Sequence, residues 1–415
     1  MNDTVRYLLS FLLYGNEEAL PLVGYTADPE EAKKFKIVIR PSENSPLNHP
    51  EKTWEDFYPE VQQVLRQRSV TTDTDIVSIA CFFLSRAEET VIRERDEHGR
   101  FLASHSVLGK GNLISIPFID EYSRWLLKRL ELPLPEPRIA EINLTHDIDT
   151  IANYRHLRGF LGGVMRGRLM QAVAAAKRLE ADPAYTFPWL MDTDTRLRSA
   201  LSSDETDITP VNIIYFIKAS QGRGFDYPQY NLQGKDFCHL LRYLAKYNVQ
   251  LGLHASYAAG ADGTLIRNEK ETLQKAISTI HYQLSTVNRY HYLRCTSIDN
   301  MQQLAAAAIT DDYTMGFPDR AGFRLCTARP VRWINPKTLQ LTSLTLHPLT
   351  VMDCTLSNAD YMNLNEEEAF YLCQQLIDKT RLSHGSLTLL WHNSIFAQTG
   401  YHKTLYSSIL DYLRQ

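Results

Sequence analysis

From Ile139 to the end, the chain alternates short apolar runs with amphipathic helical stretches, and that alternation restricts its last two thirds to a mostly parallel α/β sheet or barrel. The expected strands are residues 139–146 (IAEINLTH), 211–218 (VNIIYFIK), 248–255 (NVQLGLHA), 290–294 (YHYLR) and 386–392 (SLTLLWH). Two of the helices between them carry a capping box in the form that uses Asn: Asn268 with Glu271, and Asn365 with Glu368. Residues 157–201, rich in Arg and Ala, read as a helical insertion after the first strand. No internal repeat or low-complexity tract interrupts the pattern.

Upstream the texture differs. Residues 75–89 (DIVSIACFFLSRAEE) predict a buried helix opened by an Asp cap, 93–101 (RERDEHGRF) a charged turn, and 119–132 a second helix. Then comes PLPEPR, residues 133–138, whose three prolines cannot continue a helix and favour an extended connector. A chain of 415 residues exceeds one ordinary core. The expectation is therefore a smaller α/β amino-terminal domain, residues 1–135, followed by an irregular (β/α) barrel, residues 136–415.

Charge and cysteine usage narrow the partners. With 44 Lys and Arg against 48 Asp and Glu, the net charge of -4 offers no basic field for nucleic acid. The six cysteines form no CxxC pair, which suits reduced thiols. The first residues lack the features of a signal peptide, and no run approaches the roughly 20 apolar residues of a membrane span. A cytoplasmic protein without a span is expected.

In α/β barrels chemistry gathers at the carboxyl ends of strands. The first strand ends in Asp147-Ile148-Asp149, two carboxylates at a spacing that can hold a divalent cation, or divide metal binding from proton transfer. The third strand ends in His254, the last in Trp391-His392-Asn393, and the fourth carries Arg289, His291 and Arg294. Alone, His254 reads as a hydrogen-bonded core residue. Together, delivered by separate strands, they read as one site.

The ordered motifs THDID, GLHASY, RYHYLR, DYT with GFR, and LWHN resemble the polysaccharide deacetylases of carbohydrate esterase family 4, which share the NodB homology domain. FFLSRAEE and DEHGRF extend the resemblance to a branch of Bacteroidetes-type genomes in which an extra amino-terminal domain precedes the barrel. The resemblance implies a metal-assisted hydrolase that removes an N-acetyl group from a sugar of a surface polysaccharide or its precursor. It implies Asp147 as general base, Asp149 and His254 as metal ligands, His392 as general acid and Arg289 as the group that orients the base. Where the family has a second metal-binding His this chain has Ala258, so His291 would complete the ligand set, with zinc as the metal. Tyr257, Arg324, Trp391 and Asn393 would contact the carbohydrate.

Two other classes fit less of the sequence. Asp147-Ile148-Asp149-Thr150 matches the DxDxT opening of haloacid-dehalogenase-like phosphatases, which gives no role to His254 or His392. A barrel that binds a glycan or nucleotide sugar without turnover would explain Ala258 but not the pairing of Asp147 with His392. No GxSxG elbow occurs, which disfavours a serine hydrolase.

Overall fold

The computed structural model describes residues 2–67, 74–202, 208–220, 224–227, 230–397 and 400–415. Near the amino terminus β1 (Val23–Tyr25) and β2 (Ile37–Ile39) form a small parallel pair among helices. The main sheet contains β3 (Glu141–Ile148), β4 (Val211–Lys218), β5 (Gln250–Ala255), β6 (Val287–Tyr290), β7 (Asp311–Asp312), β8 (Val331–Ile334), β9 (Leu341–Leu346), β10 (Val351–Met352) and β11 (Ser386–Leu390). Its order is β10-β11-β3-β4-β5-β6-β7-β9-β8. Every neighbouring pair is parallel except β8 with β9.

The expected mixed α/β fold with a mostly parallel sheet is present, and the sheet curls into a half-barrel. Among the described residues its edges β10 and β8 do not pair, so the barrel is open. The pleat sorts the side chains. On β4, Ile213, Tyr215 and Ile217 face a core shared with helices, while Ile214 and Phe216 fill the concave side with Val287 and Tyr313. The last two long helices, Glu366–Leu382 and Gly400–Leu413, cover the β11–β3 side through Cys373, Leu376, Leu405 and Ile409.

Two local expectations fail for identifiable reasons. The fourth strand is earlier than expected: it stops at Tyr290, and His291–Leu293 form a tight 3-10 turn with Tyr292 and Leu293 at φ 63° and 52°. Alternating aromatic and polar residues there imitate a strand, but the left-handed backbone ends pairing and swings His291 toward β3. Asn268 does not cap a helix either, because the helix already runs from Leu265 to Ser278. By contrast Asn365 caps its helix with Glu368 in a reciprocal box, and Asp75 caps Ile76–Leu84.

The first 135 residues pack directly on the sheet segment. Leu8, Phe57, Ile79 and Leu126 share one hydrophobic cluster with Ile213, Leu251 and Trp333. Polar ties cross as well. The Trp54 indole donates to the Pro336 carbonyl at 2.9 Å and the Trp333 indole to that of Ser85 at 3.2 Å. Asp120, fully buried, accepts from Arg329 Nε at 2.8 Å, from Thr327 Oγ1 at 2.6 Å and from the Ala328 amide at 2.8 Å.

Candidate metal centre

Strand alternation puts Thr145 and Asp147 on the concave face of β3, with Asp149 just past its end, and turns His146 outward. There His146 is held by Asp194 and the Trp391 carbonyl. The same face receives Lys218 from β4, His254 from β5 and Arg289 from β6, neighbours by register: Lys218 pairs with His254 and His254 with Arg289. Gly252 makes this possible, since a Cβ there would come within 2.7 Å of the Phe216 ring and 2.6 Å of Val287. Arg289 lies over the Phe216 ring at 4.6 Å and seals the floor of the site.

Asp147 is buried, and its Oδ1 accepts from Arg289 Nη1 at 3.0 Å. The same Nη1 donates to Thr145 Oγ1 at 2.8 Å, and Arg289 Nε donates to the Tyr313 carbonyl at 3.0 Å. Oδ2 faces His254 Nε2 at 3.4 Å and His392 Nε2 at 3.9 Å. Burial opposes ionisation of Asp147, but the surrounding cations, His254 when charged and Arg289 always, more than offset it and keep its pKa below the ordinary carboxylate value. It is a buried, ionised carboxylate held in place by Arg289.

Asp149, His254 and His291 bring one ligand atom each within 4.8 Å of one another. His254 Nδ1 donates to the Arg289 carbonyl at 2.9 Å, which leaves Nε2 as a bare lone pair aimed at the aspartates. That atom is buried without a hydrogen-bond partner, as is Asp149 Oδ1. Burial pulls the His254 pKa down to about 4, so the ring is neutral. His291 Nδ1 is bound to Asp226 at 2.8 Å, and its Nε2 points at Asp149 Oδ1 over 3.4 Å. A histidine oriented by a carboxylate behind it is the usual construction of a metal ligand. The two nitrogens and one carboxylate oxygen form a donor set that could hold a divalent metal ion. Lys218 Nζ sits 3.3 Å from the same Asp149 oxygen. Burial raises the Asp149 pKa, but the nearby His291 ring and the Lys218 charge outweigh it and leave it well below the ordinary value.

His392 approaches from the other side, with Nε2 3.9 Å from Asp147 and 3.8 Å from Asp149. Asp353 holds its Nδ1 at 2.9 Å. Burial disfavours the imidazolium, yet the Asp353 carboxylate wins and keeps the His392 pKa well above the ordinary value. Asp353, His392 and Cys354 also form a compact group of possible ligand atoms, with Cys354 Sγ 3.9 Å from His392 Nδ1. Because burial pushes the Cys354 thiol up to about 11, it stays protonated. The two faces of the site thus carry opposite proton chemistry: a neutral His254 and a charged His392.

Of the residues expected to contact carbohydrate, three do not reach this cleft. Arg324 is buried away from it, its guanidinium bound to Glu89 at 2.7 Å and to the Gly316 carbonyl at 2.8 Å. Trp391 is fully buried against Tyr406, with ring centroids 5.0 Å apart. Asn393 ties loops together by donating to the Thr150 and Ala184 carbonyls. Tyr257 does stand at the rim, in an aromatic group with Phe225, Tyr292 and His98 whose centroids lie 4.5–5.9 Å apart. His98 belongs to the charged turn of the first 135 residues, and Arg294 fastens that turn by donating to the His98 carbonyl at 2.6 Å and to that of Tyr257 at 2.6 Å.

Lys218, Asp226 and Asp353 escape the sequence reading. Lys218 ends an expected strand, but only its pairing with His254 shows that it reaches the site. Asp226 lies in a three-residue turn and Asp353 follows a two-residue strand, too short for any periodic signal.

Comparison with known proteins adds little to this. Residues 16–135 match the model of a family of unknown function, DUF7033. No curated protein matches the chain. A solved structure from Mycobacterium smegmatis, provisionally described as a polysaccharide deacetylase, is similar at 13% identity over 68% of this chain and 86% of its own, with a TM-score of 0.43.

Proposed function

We propose that the chain is a metal-assisted hydrolase that removes an N-acyl group, acetyl in the simplest case, from a sugar of a surface polysaccharide or its precursor. The observation that carries this reading is the placement of a restrained anionic base, Asp147, and a charged imidazole, His392, on either side of a His254–His291–Asp149 ligand group with an unpartnered Nε2. Such a pairing has no role in a phosphatase whose first Asp is the nucleophile.

An ion held by Asp149, His254 and His291 would supply Lewis acidity to the acyl carbonyl and make a nearby water more acidic. The residues do the rest. Asp147 accepts a proton from the attacking water, kept in position and ionised by Arg289. His392, charged through Asp353, gives its Nε2 proton to the departing amine, without which the leaving group would be a strong base. Phe225, Tyr257 and Tyr292 offer ring faces at the rim for the apolar face of a sugar.

Glycan binding without turnover is a second reading, and one observation favours it. The Lys218 ammonium already places a positive charge 3.3 Å from Asp149, where it competes with a cation. Acetate release from N-acetylated oligosaccharides and sugar nucleotides, measured with and without added zinc, cobalt or manganese, decides between the two. Release that depends on metal supports the hydrolase. Substrate binding with no release under any metal overturns it.

A further inference from the structure

The segment between β3 and β4 has a surface that the site chemistry does not use. Residues 157–177 form a hairpin of two helices, Leu157–Met165 and Leu169–Lys177, turned at Gly167 with φ 72°. Its inner face is small: Gly163, Ala172 and Ala175 close on Tyr154, and a Cβ at Gly163 would meet that ring at 2.9 Å. The outer face is large and apolar. Leu157, Leu161 and Met165 recur every fourth residue along one stripe and continue into Leu169 and Met170. Leu157 is 76%, Met165 88% and Met170 81% exposed.

Charge makes this patch unlike an ordinary exposed helix. Residues 154–179 contain six basic residues, Arg155, Arg158, Arg166, Arg168, Lys177 and Arg178, and no Asp or Glu, in a chain whose net charge is -4. Arg155 is spent on Asp236. Among the described residues no carboxylate pairs with Arg158, Arg166, Arg168, Lys177 or Arg178.

We propose that this hairpin docks the protein on an anionic lipid surface, with the Leu157–Met170 stripe entering the headgroup boundary and the arginines meeting lipid phosphates. A basic helix pair with protruding Leu and Met side chains is the composition of an interfacial anchor, in which long cationic side chains reach back to the headgroups. A protein partner fits less well. Each helix is only about 14 Å long, too short a strip to supply the roughly 800 Å² per side of a stable interface. The hairpin follows the Asp149 end of β3 in the chain. Among the described residues no helix is long and apolar enough to cross a membrane.

The test uses the full chain and sucrose-loaded vesicles of phosphatidylcholine, with or without about one third phosphatidylglycerol. Wild type should co-sediment with the anionic vesicles, less so as salt rises, and weakly with phosphatidylcholine alone. Leu161→Glu with Met165→Glu should weaken binding at least about ten-fold, and Arg158→Ala with Arg166→Ala should weaken it and flatten the salt dependence. Tyr371→Ser, at an exposed aromatic on another helix, should bind like wild type. All these positions are exposed, so unchanged circular dichroism is expected. The proposal is overturned by absent vesicle binding, by equal binding of the double-Glu variant, by equal binding to both vesicle types, or by a wild-type dimer that the double-Glu variant dissociates without any lipid binding.

Discussion

Asp353 grips His392 at two points: its Oδ2 accepts the His392 backbone N–H at 2.7 Å, and its Oδ1 accepts from Nδ1 at 2.9 Å. The first bond fixes where the loop after β11 leaves the sheet, and the second leaves Nε2 as the imidazole nitrogen that faces Asp147 and Asp149. Asp353→Asn keeps most of the geometry but removes the charge that sustains the imidazolium. Turnover should fall by about 10–100-fold with little change in metal content. Loss of metal together with activity would show that Asp353 serves the ligand group instead.

The two carboxylates of β3 should separate in mutants. Asp147→Asn cannot accept the proton of water, so kcat should fall at least about 100-fold while bound metal, measured by elemental analysis, persists. Asp149→Asn removes a charged ligand and should lose both, with partial recovery on adding cation. Equal metal loss in the two variants would refute the division of roles.

Metal affinity should depend on His291 and on the residue behind it. Asp226→Asn should weaken zinc binding by about 10–100-fold, and His291→Ala by more, as read by competition with a chromogenic chelator. Lys218→Met, which removes the competing ammonium 3.3 Å from Asp149, should strengthen binding. A set of variants with wild-type affinity would remove these residues from the centre.

Glu88 gives stability a pH dependence remote from the site. Burial raises its pKa from the ordinary 4.5 to about 7, although the Val107 amide and Ser106 hydroxyl bind its oxygens. Below the ordinary value both folded and unfolded chains hold the proton, and nothing is lost. As pH rises toward 7 the unfolded chain ionises first, so folding should weaken by up to about 3 kcal/mol, then level off. Urea unfolding at pH 5 and pH 8 should show this contribution in wild type and not in Glu88→Gln.

Asp120→Ala should lower stability by about 3–5 kcal/mol, because it strands the buried Arg329 guanidinium and the Ala328 amide. Chemical denaturation followed by tryptophan fluorescence would measure it. A loss under 1 kcal/mol would mean that water reaches Arg329.

The sequence by itself determined the class of fold and the strand ends that matter. The apolar runs at 139–146, 211–218 and 386–392 are long enough to carry a period, and a two-residue period dictates that Asp147 faces inward when His146 faces out. It also put Asp149, His254 and His392 at or just past strand ends, because strand ends mark themselves by the polar residues that follow an apolar run; Arg289, which precedes the expected fourth strand, came from the family resemblance. What only the tertiary structure decided is how separate strands meet. His291 reaches Asp149 because two left-handed residues, Tyr292 and Leu293, break the fourth strand, and no local pattern announces such a backbone. Asp353 and Asp226 act through partners 39 and 65 residues away, at distances set by sheet register and loop packing. Trp391, Asn393 and Arg324 were misplaced for the same reason: their residue types suit a sugar, but side-chain direction belongs to the pleat and to neighbours distant in the chain.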